Sequence, residues 1–298
     1  MLNASKEKLL YQMFLDLDDF CTAYERHIQS KALPSECDQR KVPTTVLALS
    51  EILTILCFYH YSGYKCFQYY YEELILRDLH EYFPRAVSYN RFIELIPRAA
   101  IPLYLFTQLR SLQARRTGIY FADSKKLPVC DNRRIHSNRV FQGVAKRGKT
   151  STGWFYGLKL HLIINNLGEI VHFVFTTANV NDNTKSVLDH LLKDLKGKCF
   201  ADKGYLSKFF AYFYDKGIHL VTKIRKNMKN ALMGISDKLW LRRRAVIESL
   251  NDLLMTVFDI DHTRHRSPWN ALVHALAGLG AYSYYPEKPA VFIQPLVG

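Results

Sequence analysis

At Thr117 the chain changes the period of its apolar residues, and that change constrains the fold more than any other feature. Before it, apolar side chains recur three and four apart, as in Leu9, Met13, Phe14, Leu17, Phe20 and Cys21, the spacing of a helix face. After it come short runs of strand character: Gly118 to Asp123, Trp154 to Ile164, and Glu169 to Thr177 across a turn at Asn165-Asn166-Leu167-Gly168. Helical spacing then returns at Thr184–Leu195, a strand follows at Cys199–Asp202, a helix at Lys208–Lys216 and a strand at His219–Ile224. Two helices, Leu239–Phe258 and Trp269–Tyr285, complete the order. Lys125–Lys149 and Arg225–Lys238 carry many cations without apolar periodicity and read as basic loops. Three antiparallel strands joined to a parallel pair by crossover helices predict a mixed α/β sheet with helices on its faces.

The first 112 residues read as helices only. After Pro43, Thr44 to Tyr61 is apolar at most positions, and an aromatic-rich helix follows from Cys66 to about His80. Ser88 is placed to cap a helix beginning at Tyr89. This order suits a helix-turn-helix-like DNA reader or a plain bundle with its aromatics in the core, and both readings stand. The expected division is a helical domain over 1–112, an α/β domain over 113–286 and a loose tail over 287–298.

Lys and Arg total 41 against 27 Asp and Glu, a net charge of +14. That excess favours a polyanionic partner, nucleic acid before an anionic membrane. Six cysteines form no Cys-x-x-Cys pair and no zinc-ligand spacing with the histidines, as expected for reduced thiols in a cytosol. The first twenty residues alternate apolar and acidic positions, unlike a signal peptide, and the apolar run Val46–Tyr59 is too short to span a bilayer. A soluble cytoplasmic protein is expected.

Two of the strands end on acids, Asp123 and Asp202. Asp202-Lys203-Gly204 is ordinary turn chemistry when taken alone, and Glu248 one helical turn beyond Arg244 is ordinarily a solvated ion pair. Taken together, the topology carries all three acids to one edge of the sheet. Carboxylates gathered there repel one another unless a cation sits among them, and Mg²⁺, with Mn²⁺ as a substitute, suits such oxygen donors. Two such ions about 4 Å apart clamp the attacking and leaving oxygens of a phosphodiester displacement. Lys125, Lys126, Lys203, Tyr205, Arg242, Arg243 and Arg244 are the expected DNA contacts.

The strand ending at Asp123, the run Asp202-Lys203-Gly204-Tyr205 and the pair Arg244-x-x-x-Glu248 resemble the DDE transposases of bacterial insertion sequences. Thr177-Ala-Asn-Val-Asn-Asp182 is similar to the stretch these enzymes carry before the crossover helix. The runs from Glu248 to Leu254 and from His262 to Pro268 look closest to the insertion-sequence 982 family. The resemblance implies a ribonuclease-H-like catalytic domain, Asp123, Asp202 and Glu248 as metal ligands, and a helical domain that helps bind the element's ends. Such transposases often place a tyrosine and a lysine where this chain has Leu241 and Met255.

The expected activity is therefore metal-dependent cleavage at the ends of a mobile element and strand transfer into target DNA, by a homodimer on DNA. Two rivals are a ribonuclease-H-like nuclease without strand transfer and a catalytically dead, transposase-derived DNA-binding protein. His136, His161 and His172 are expected to be ordinary surface or strand histidines. Trp154 and Trp240 offer stacking faces for an extruded base, but packing is the expected role of both.

Overall fold

The computed structural model describes residues 2–31, 47–150, 153–205, 208–223, 233–261 and 265–293. Residues 44–46 of the expected second helix, most of the basic loop at Arg225–Lys238 and residues 262–264 lie outside the described residues. The chain divides into two compact units. One comprises Met1–Thr107, Val257–Asp259 and Trp269–Tyr284; the other comprises Gln108–Thr256, Ile260–Pro268 and Tyr285–Gly298.

The described part of the N-terminal region is all-helical, with α1 (Ala4–Lys31), α2 (Leu49–Ser62), α3 (Phe67–Tyr69), α4 (Tyr89–Leu95) and α5 (Ala100–Gln113). Helix α2 is buried along nearly its whole length, as a helix apolar on most faces must be. It stops at Gly63, whose φ of 90° an L side chain rarely adopts. Helix α3 runs on as a π-helix over Tyr70–Asp78, a widened turn that sets Tyr70 and Tyr71 side by side in the core. Tyr71 lies 4.5 Å from Phe92 between ring centroids and Tyr70 lies 5.2 Å from Tyr59. The buried Tyr70 hydroxyl donates to the Ile55 carbonyl at 2.8 Å, which removes the cost of burying it. Ser88 does precede α4, but its side chain makes no capping bond.

The second unit is built on one mixed sheet. Its elements are β1 (Ile119–Cys130), β2 (Lys146–Thr150), β3 (Gly153–Asn165), β4 (Ile170–Thr177), α6 (Lys185–Leu191), β5 (Gly197–Ala201), α7 (Phe210–Asp215), β6 (Ile218–Thr222), α8 (Ile235–Arg243) and α9 (Ala245–Thr256). The strand order is β2-β3-β1-β5-β6, with β4 also on β3. β1 is antiparallel to β3 and parallel to β5, and β5 is parallel to β6. This mixed sheet flanked by helices is consistent with a ribonuclease-H-like arrangement. One face buries Tyr120, Ala122, Ile163, Cys199 and Ala201 against Val187, Leu188 and Leu191 of α6 and Phe213 of α7. The alternate residues Phe121 and Phe200 meet Trp240 of α8 on the other face, so the expectation that Trp240 packs holds.

The structure corrects two expectations. The supposed loop Lys125–Lys149 is partly strand, because β1 runs on to Cys130 and Lys146–Thr150 forms β2. The single long helix expected over 239–258 is two, α8 and α9, with Arg244 at the break. The last helix, α10 (Pro268–Ser283), belongs to the first unit, where Tyr61 donates to the Ala281 carbonyl and Gly280 packs on Cys57.

Candidate active site

Register sets the first two acids. Ala122 of β1 pairs with Ala201 of β5, and each is followed by an aspartate. Asp123 and Asp202 therefore stand side by side where the β1–β5 pairing stops, Asp202 in the exposed turn directly after β5 and Asp123 within β1, which does not end on it as expected but runs on to Cys130. Asp123 is two residues beyond Phe121 and so faces the side of the sheet that carries α8 and α9.

Helix α9 supplies the other partners. Asn251, buried, donates from Nδ2 to Asp123 Oδ2 at 2.9 Å. Arg244, at the break before α9, reaches Asp123 and Glu248. Its Nη1 lies 4.0 Å from Asp123 Oδ1 and its Nη2 donates to Glu248 Oε1 at 2.5 Å. A continuous helix would hold Arg244 and Glu248 one turn apart on the same face. The break keeps that spacing, and the guanidinium spans Glu248 and the sheet. Glu248 thus lies on the same side of the sheet as Asp123.

Burial pushes the Asp123 carboxyl up to about 6, against the opposing pull of Arg244 and the Ser124 amide; Glu248 and Asp182 add to the rise. A carboxyl held that high lacks compensating positive charge, since a guanidinium at 4.0 Å offsets only part of its desolvation.

Asp182 went unrecognised as a site residue. It sits between two charged or ionisable side chains of β3: Lys159 Nζ at 3.1 Å and His161 Nδ1 at 3.7 Å from Asp182 Oδ1. Lys159 also donates to the Val180 carbonyl at 2.8 Å. The other oxygen, Oδ2, lies against Gly204, where an added Cβ would approach to 3.4 Å. Asp182 thereby lies next to the turn that carries Asp202. The signal was present in Trp154–Ile164, where Lys159 and His161 fall on one face of an otherwise apolar strand. Two buried polar side chains two apart demand a polar partner. His161 is correspondingly more than an ordinary strand histidine. It is fully buried, its Nε2 meets Thr176 Oγ1 at 2.9 Å, and burial lowers it to about 4 in spite of Asp182.

The expected DNA contacts separate into two groups. Lys126, Lys203, Arg242 and Arg243 are exposed, and Lys125 is half-buried with its Nζ 3.7 Å from Asp252. Tyr205 does not join them. Its ring is buried with Ala201 and Leu188 in the core, and burial raises its hydroxyl well above the ordinary range. The Leu241 side chain is buried in α8.

Carboxylate oxygens are the donors that a hard divalent cation takes. The high Asp123 carboxyl and the neighbouring Asn251 Oδ1, buried with no hydrogen-bond partner among the described residues, suit such an ion. The donors are not drawn together, however. Among the described residues no group of three or more His, Cys, Asp or Glu side chains is disposed to hold a metal. Glu248 is turned to Arg244 instead.

No described helix is long and apolar enough to cross a membrane. Searches of curated proteins and of solved structures return no match. A family model described as a transposase DDE domain matches residues 113–268, which span the whole sheet, Asp123, Asp202 and the Arg244–Glu248 turn. That is more than half of the chain, and the protein belongs to the DDE transposase family.

Proposed function

We propose that this protein is a transposase of the insertion-sequence 982 type, which cuts DNA at the ends of its mobile element and joins them to target DNA. The observation that carries the reading is the register of β1 on β5. It sets Asp123 and Asp202 next to each other along the paired strands, and Arg244 links Asp123 to Glu248. Asp123, Asp202 and Glu248 are the residues that would hold Mg²⁺ or Mn²⁺. When bound, such ions activate the attacking oxygen and offset charge at the phosphodiester.

The chain's own groups do the rest. Asp123 is kept in place by Asn251. Arg244 is poised to exchange a carboxylate for a phosphate, since guanidinium pairs with either in the same forked geometry. Lys125, Lys126, Lys203, Arg242 and Arg243 hold the DNA backbone, the helical region helps bind the element's ends, and the active species is a homodimer on DNA. Water attacks first and releases a 3′ hydroxyl. That hydroxyl then displaces a target-strand oxygen, so one phosphodiester bond replaces another and no nucleotide is consumed.

Asp202→Asn is expected to abolish strand cleavage in Mg²⁺ while DNA binding in a gel-shift assay stays within about twofold, because Asp202 lies in an exposed turn. Undiminished cleavage by that variant would remove Asp202 from the chemistry. Pre-cut ends incubated with a target plasmid separate a transposase, which joins them, from a nuclease, which does not.

A further inference from the structure

The sheet does not end where its acids do. β5 stops opposite Ala122, but β1 and β3 continue as a ladder as far as Cys130 and Tyr156, and β2 pairs with the first residues of β3. From Leu162, opposite Asp123, to Trp154 is eight residues of β3, about 26 Å of strand.

The tip of this arm is built in an unusual way. Trp154 was expected to pack, yet it is 54% exposed. Lys149 pairs directly with it across the ladder, and Arg147, two residues away, shares the same face. Their charged ends lie 5.7 and 5.4 Å from the centre of the indole ring. Gly148 points to the opposite face and is pressed on Ala178, where an added Cβ would fall 2.1 Å from the carbonyl oxygen. That contact holds Arg147 and Lys149 outward. Asn132 Nδ2 donates to the Trp154 carbonyl at 2.7 Å and draws the turn bearing Arg133 and Arg134 alongside. Residues 131–150 contain six Lys and Arg and a single acid, Asp131, whose carboxylate accepts the Arg133 amide. Among the described residues none of those six cations forms an ion pair.

Cations crowded around an exposed ring repel one another, and cation–π contact at a solvated site returns only a little. The arrangement becomes favourable when phosphates lie between the cations and a sugar or base meets the ring. A lipid surface fits less well, because the face that carries Trp154 leads back along β1 through Lys125 to Asp123. We propose that the arm tip is a DNA clamp in which Trp154, Arg147 and Lys149, flanked by Arg133 and Arg134, grip the duplex roughly six to eight base pairs from the bond that is cut, at about 3.4 Å per pair. The proposal rests on the transposase reading and adds to it a second point of contact.

The test uses the full-length protein in EDTA with a fluorescent 30-base-pair duplex, and anisotropy read over a range of KCl. Arg147→Gln/Lys149→Gln is expected to reduce the slope of log affinity against log salt by about 2, one for each lost phosphate contact. Trp154→Ala is expected to weaken binding about tenfold. Melting temperatures close to that of the parent would confirm that both variants fold. DNA should also quench the parent's tryptophan emission more than that of Trp154→Phe. Unchanged affinity and slope in both variants would overturn the clamp, as would a loss confined to binding of phosphatidylglycerol vesicles. A parent that fails to bind duplex DNA would instead overturn the transposase reading itself.

Discussion

At the residue scale, three side chains depend on partners that are remote in sequence. Asp123 relies on Asn251 and Arg244, Asp182 on Lys159, and His161 on Asp182 and Thr176. His161 also gives the protein a dependence on pH. Burial holds it near 4 in the native state against an ordinary 6.5, so between those values the unfolded chain takes up a proton that the native chain refuses. The sign follows directly: its stabilising share is complete above about pH 6.5 and is lost as pH falls toward 4, by about 2–3 kcal/mol. His172, also lowered to about 4, acts in the same sense, while Asp123, raised to about 6, acts in the opposite one. A difference measurement removes both. In urea titrations, the stability of the parent minus that of His161→Gln should be smaller at pH 4.5 than at pH 7 by about 2 kcal/mol. An equal difference at the two pH values would mean that His161 is not held neutral by burial.

At the element scale, the β1–β3 arm is the feature least visible in the amino-acid pattern. Strands are read from alternation, and Lys146–Thr150 shows none, since a glycine occupies its inward position and cations its outward ones. Charge on an edge strand is a common defence against pairing with other chains, so what read as a loop is edge chemistry. Pro128 agrees with this, lying where β1 has β3 on one side and no β5 on the other. The ladder closes tightly at that point. A Cβ on Gly157 would come within 2.1 Å of the Leu127 carbonyl oxygen, a backbone atom that cannot swing aside. Gly157→Ala should therefore cost about 2 kcal/mol or more and speed hydrogen exchange along β1 and β3 beyond Asp123, while leaving β5 and β6 protected. Uniform loss of protection across the sheet would show that the arm is not a separate cooperative element. The break at Arg244 was hidden for a different reason: apolar spacing continues straight through it, and only the contact with Asp123 distinguishes it.

At the scale of the whole molecule, each of the two units is assembled from distant parts of the chain. The helical unit includes α10, more than a hundred and fifty residues beyond α5 in sequence. Within it Tyr282 meets Phe258, the Phe258 carbonyl bonds the buried His60 ring, and Gly280 fits between Cys57 and Thr107. The N-terminal helices alone lack that covering. A fragment ending at Gln113 is expected to show weak, non-cooperative melting by circular dichroism, with apolar surface that binds a hydrophobic dye. Cooperative melting of that fragment at the temperature of the full chain would show that α10 is dispensable to the unit.

Sequence alone determined the alternation of strand and crossover helix, the acid that follows each of the two paired strand segments and the Arg244–Glu248 turn, though not that β1 runs on past Asp123 to Cys130. Each of these is written locally, in periodicity and in short motifs. Tertiary structure alone decided that Asn251 belongs beside Asp123, that Asp182 pairs with Lys159 and His161, that Tyr205 is core, and that Trp154 stands in solvent under two cations. Those outcomes depend on register and on which face of the sheet a helix covers. Both are settled by packing between residues far apart in the chain, and no local pattern records them.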